Sequence, residues 1–140
     1  MSYVDLLTAA QDAVVAALQP IATASGMPSG LYVGQHVVED TQPPWIRVGQ
    51  ITSVPETQYL DEQLEKLTVE VQIVWRGEER RTLFAMMHAV RLALHNQAIG
   101  DGTVSFATPN FLKAEGGDAI ADGVTYVGLS MFEFYAQPAT

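Results

Sequence analysis

Between Leu67 and Arg76 the chain alternates: Leu67, Val69, Val71, Ile73 and Trp75 fall on one side of an extended strand, and Thr68, Glu70, Gln72 and Arg76 fall on the other. A period of two is that of a half-buried antiparallel strand. Gly77 ends the run and the charged stretch Glu78 to Arg81 follows. Leu83, Met87, Val90 and Leu94 then recur at helical steps, with Phe84 and Met86 widening the apolar stripe. The spacing predicts a helix over 79–95, roughly 25 Å long at about 1.5 Å per residue. Glu78 and Glu79 near its start and His95 near its end suit the helix dipole.

The same periodicities organise the rest of the chain. Tyr3, Leu7, Ala10, Val14 and Leu18 form a first helical stripe, with Ser2 and Asp5 as a capping start and Pro20 discouraging continuation. Turn chemistry at Ser25–Gly30 leads into a short strand, LYVG with HVVE after it. After the loop Asp40–Pro44, Trp45–Ile51 alternates as a second strand, with Ile46 and Val48 on one face. The polar stretch Thr52–Glu62 is too long for a tight turn and is expected to project as an arm. Gly100–Gly102 turns the chain into Thr103–Lys113, and Gly116–Gly123 forms the loop before the last strand, Val124–Ala136.

That last strand has Tyr126, Phe132 and Phe134 on one face and Val127, Leu129, Met131 and Tyr135 on the other. A strand apolar on both sides needs helices over one face and a further layer over the second, within the chain or from another subunit. The fold expected is α+β, a single domain over 1–140: a mainly antiparallel sheet of four to five strands with two amphipathic helices packed on one face.

Composition narrows the functional classes. Sixteen acidic residues against seven basic give a net charge of −9, which argues against affinity gained by neutralising phosphates. An acidic surface does suit a wall past which DNA slides without sticking. With 48% hydrophobic and only 16% charged residues, the chain has apolar surface that invites self-association. It has no Cys, so disulfides, thiolate zinc sites and cysteine nucleophiles are excluded. Asp5, Gln11 and Asp12 among the apolar residues of the N-terminal stretch fit neither a signal peptide nor a membrane span, and a cytoplasmic protein is expected.

Catalytic signatures are missing. There is no phosphate loop, no GxSxG elbow and no dinucleotide fingerprint. His88 and His95 are seven residues apart, two helical turns, too far for one metal ion. His36 with Glu39 and Asp40 is a mixed-ligand possibility outweighed by a solvated loop. The carboxylates at Asp61, Glu62 and Glu65, and at Asp118 and Asp122, lack the periodicity of a calcium loop. Glu78–Arg81 reads as a helix start with ion pairs. Trp75 belongs to the core face, whereas Trp45, beside two prolines at a strand edge, is the better interface anchor. Neither catalytic residue, cofactor nor metal is expected.

Several segments, taken together, resemble the tail terminator, or tail-completion, proteins of long-tailed phages and gene transfer agents. These are the first helix, LYVG, the Pro44-Trp45-Ile46 start of the second strand, Val74-Trp75-Arg76-Gly77 before a helix ending Leu92-Ala93-Leu94-His95, and the last strand. The resemblance covers nearly the whole chain. It implies a virion protein of the tail and neck, assembled in the host cytoplasm, that forms a hexameric ring, caps the tail tube and joins the tail to the head. The implied partners are further copies of the chain, the tail-tube protein and a neck or head-closure protein. DNA would pass through the lumen without specific binding, and no membrane is involved. Docking would then fall to the two loops, Thr52–Glu62 and Gly116–Gly123, and to Trp45, with Thr52, Glu56, Tyr59, Asp61, Asp118 and Asp122 as contact residues. Two other readings stay open: another neck component such as a head-closure or adaptor protein, and a small α+β enzyme or ligand-binding domain using His36–Asp40.

Overall fold

Strand formation follows the alternation closely. The computed structural model describes residues 3–37, 41–56 and 63–139. These residues form β1 (Tyr32–Gly34), β2 (Trp45–Pro55), β3 (Glu65–Arg76), β4 (Val104–Phe106), β5 (Asn110–Ala119) and β6 (Thr125–Pro138), with helices α1 (Leu6–Leu18) and α2 (Arg81–Leu94). All six strands join one sheet. β3 lies in its middle, antiparallel to β2 on one side and to β6 on the other. β1 pairs parallel to β2, so the sheet is mixed. β4 and β5 follow one another along the free side of β6.

Leu67, Val69, Val71 and Ile73 of β3 are fully buried, flanked by Ile46 and Val48 of β2 and by Phe132 and Phe134 of β6. They share one cluster with Leu6, Ala10, Val14 and Leu18 of α1 and with Leu83, Met86, Val90 and Leu94 of α2. Both helices therefore cover the same face, as the pattern predicts. Gly128 of β6 makes the close approach of α2 possible, because a Cβ there would come within 2.6 Å of the Met87 sulfur. Trp75 closes the end of this core and donates its indole N–H to the Glu79 carbonyl at 2.9 Å.

The structure corrects several boundaries. Six strands form rather than four or five, because Thr103–Lys113 is interrupted before Pro109, which has no N–H to donate, and splits into β4 and the start of β5. α1 is capped by Asp5, whose carboxylate accepts the Thr8 N–H at 3.0 Å and the Thr8 hydroxyl at 2.7 Å. Starting there, the helix turns Leu6, Ala10, Ala13, Val14 and Leu18 inward and leaves Leu7 exposed; Tyr3, before the helix, is exposed as well. Beyond Leu18 the chain tightens into a 3-10 turn, Gln19–Thr23, with Pro20 in its first turn. The run Leu6–Thr23 is long and apolar enough to cross a membrane, and a third of it is buried inside the protein. α2 begins at Arg81 rather than Glu79, so Glu78 and Glu79 precede it, and Phe84 points outward.

Ser130 sits on the buried face of β6, opposite Val71, and its hydroxyl has no hydrogen-bond partner among the described residues. Replacing it by Ala removes an unsatisfied polar group and should leave stability unchanged or raise it by about 1 kcal/mol. Phe132, fully buried and edge-on to Phe111 with ring centroids 5.7 Å apart, marks the opposite case. Phe132→Ala should cost about 3–5 kcal/mol in denaturant unfolding.

Candidate docking surface

The sheet face turned away from the helices is built from the alternate residues of the same strands. Trp45, Val74 and Val127 are paired neighbours across β2, β3 and β6, and Arg47, Gln72 and Leu129 form the next row. Among the described residues no helix or second sheet lies over them. Val74 is buried here, whereas Leu129 and Met131 are only half-covered, and Tyr135 is exposed. The expectation of an apolar second face is thus met in β6, and no second layer of the described chain covers it. Farther along, Lys66 and Glu133 pair at 3.1 Å, and Arg47 donates to Gln72 at 2.9 Å.

At one end of this face the strands frame a hollow of about 440 Å³ lined by Gln42, Pro43, Trp45, Val74, Ile120 and Val127. Arg76 closes it, donating to Gln42 at 2.9 Å and to Asp122 at 3.2 Å. Asp122 organises the β5–β6 turn: it accepts from the Thr125 hydroxyl and from the N–H groups of Val124 and Thr125. The Thr125 hydroxyl, those N–H groups and Arg76 hold its carboxyl well below the usual carboxylate range. Gly123, at φ +76°, supplies the left-handed residue that the turn needs.

The expected docking residues fall into three groups. Trp45 opens β2 between β1 and β3 on the open face, half-buried, and so lies inside the sheet rather than at its edge. Thr52 belongs to β2, paired with Thr68, and Glu56 continues the ladder by donating its N–H to the Leu64 carbonyl at 2.8 Å. The first four residues of the stretch expected to project, Thr52–Glu62, instead extend the hairpin. Tyr59 and Asp61 lie outside the described residues, as do Glu39 and Asp40. Likewise Gly116–Ala119 belongs to β5, which places Asp118 on a strand, 2.7 Å from Arg80, and leaves Asp122 in the short turn.

Two features escaped the sequence pattern. Val74 is an apolar residue on the polar side of β3, and that departure from alternation was the available signal. Gln63 is buried and grips Val4 through two hydrogen bonds of 2.9 Å, tying the N-terminal segment to the hairpin. A lone Gln in a polar stretch gives no such signal. His36 is exposed, and its carbonyl accepts from the Tyr32 hydroxyl at 2.6 Å. The ring of His95 accepts the Phe111 N–H through Nδ1 at 3.1 Å. Among the described residues, no three His, Asp or Glu side chains gather as a metal set.

The family described as "Tail completion protein gp17" matches residues 9–134. The chain belongs to the tail completion protein family. It is thus a structural component of the virion tail and not an enzyme. A solved chain from the "Virion of native gene transfer agent (GTA) particle" has the same fold, with a TM-score of 0.68 over 96% of this chain and 99% of that one, at 15% identity. No curated protein sequence matches it. For a tail completion protein, the open sheet face and the strand ends are the surfaces to consider for contact with other virion subunits.

The Asp122 contacts yield a pH test. A carboxyl held below its unfolded value stabilises the fold above about pH 4, and that contribution is lost as pH falls through its folded value. Asp122→Asn should lower the melting temperature at pH 7, and its difference from the parent should shrink below about pH 4 in calorimetry. A difference constant from pH 7 to pH 3 contradicts this role.

Proposed function

We propose that this tail completion protein forms a hexameric ring that caps the tail tube, ends its elongation and joins the tail to the head. The observation that supports this most is the sheet face turned away from the helices, where Leu129 and Met131 are only half-covered and Tyr135 is exposed, in a protein whose family works within an assembly. One ring face would engage the last tube ring, and the other would present no surface on which a further tube ring could add. The tail-tube protein and a neck or head-closure protein are the partners in this reading. The rim of the β2–β3 hairpin around Thr52 and Glu56, the open-face residue Trp45, and the Asp118–Asp122 corner are the docking positions assigned here. Tyr59 and Asp61 belong to the same proposed arm.

The excess of carboxylates fits a lumen through which DNA passes without being held. Disrupting the gene should yield tails of irregular, excessive length that fail to join heads, measured by negative-stain microscopy, and supplying the chain in trans should restore both. Tails of normal length lying detached from heads would instead assign the chain to head closure.

A further inference from the structure

A second cavity, of about 530 Å³, lies away from the sheet face, between α1 and the segment from Ala98 to Phe106. Its walls combine the small side chains of Ala13, Ala16 and Ala17 with Ile99 and Phe106, and its charged groups are Asp12 and Asp101. Neither carboxylate has an ion-pair partner among the described residues. Small side chains allow another chain to approach closely, and two unpaired carboxylates favour a cation with it.

The α2–β5 flank of the same molecule carries the complement. Arg91 lies over the Phe111 ring, 4.0 Å from its centroid, with no carboxylate partner among the described residues. Leu92, next to Arg91 in α2, is 63% exposed, and Leu112, next to Phe111 in β5, is 41% exposed. The other described cations are engaged: Lys66, Arg76, Arg80, Arg81 and Lys113 with carboxylates, and Arg47 with Gln72. One corner therefore offers a cation flanked by apolar knobs, and a different patch offers an apolar groove with two carboxylates.

We propose that the Arg91–Leu92 corner of one copy seats in the Asp12–Asp101 groove of the next. Two different patches meet, so the contact is head-to-tail, and in the proposed ring each copy gives one corner and one groove. This rests on the ring reading above and names the surfaces that would build it.

The absence of Cys permits a direct test. Virions carrying both Ala16→Cys and Leu92→Cys, treated with a short bismaleimide, should show a ladder of multimers of this chain on denaturing gels, and neither single variant should. A double variant present in tails without a ladder overturns the proposal. So does a dimer from either single variant, or a cross-link to another virion protein. Arg91→Glu should reduce incorporation into tails by roughly tenfold or more, and adding Asp12→Arg should restore it. A charge-swapped pair that folds, judged by circular dichroism, yet incorporates no better than Arg91→Glu alone also overturns the proposal. Absence of the unaltered chain from tails would instead remove the ring reading itself.

Discussion

The antiparallel pairing of β3 with β6, unbroken from Glu65 opposite Ala136 to Arg76 opposite Thr125, is the constraint from which the rest of the structure follows. A period of two ties register to facing, so one residue of slip would turn Leu67, Val69, Val71 and Ile73 out of the core. In the observed register, Phe132 and Phe134 stand beside Val69 and Leu67 under the helices, and Gly128 lies where α2 comes closest. Val127 meets Val74 on the other face and extends the apolar patch around Trp45. A single ladder thus sets both the helix-covered core and the uncovered surface.

The parts that the sequence made legible are those where one physical term dominates. The alternation of Leu67, Val69, Val71 and Ile73 in β3, the apolar stripe of α2 and the inner face of β6 all reflect burial, and each appears where the pattern places it. The errors concern elements governed by hydrogen bonds or backbone stereochemistry. The inward line of α1 keeps Ala10, Val14 and Leu18 but starts from Leu6 rather than Leu7, because Asp5 caps the helix. The β2–β3 hairpin outruns its hydrophobic pattern because the backbone of Thr52–Pro55 pairs on with that of Glu65–Thr68. Polar, glycine-bearing Gly116–Ala119 extends β5 because β6 offers a ladder to pair with, a non-local cause that no window of local sequence contains.

The docking residues were legible as types and less so as places. Trp45 proved to be part of an open face, and the clue that would have sharpened it was Val74, the one apolar residue out of phase in β3. Asp118 and Asp122 proved to hold Arg80 and Arg76, so their charges first fix the β5–β6 corner and then contribute to any surface it offers. Five of the seven cations are already engaged by carboxylates of the same chain, which leaves little basic charge free in a protein of net charge −9. Under the ring reading, the same acidic excess would keep passing DNA mobile by repulsion.

The account stands or falls on where the chain sits and in how many copies. A cryo-electron microscopy reconstruction of the head–tail junction in intact virions measures both. The account predicts a hexameric ring of this fold at the head-proximal end of the tail tube, with DNA density passing through its centre. The chain at the distal tip, or as a single copy off the tail axis, would contradict it.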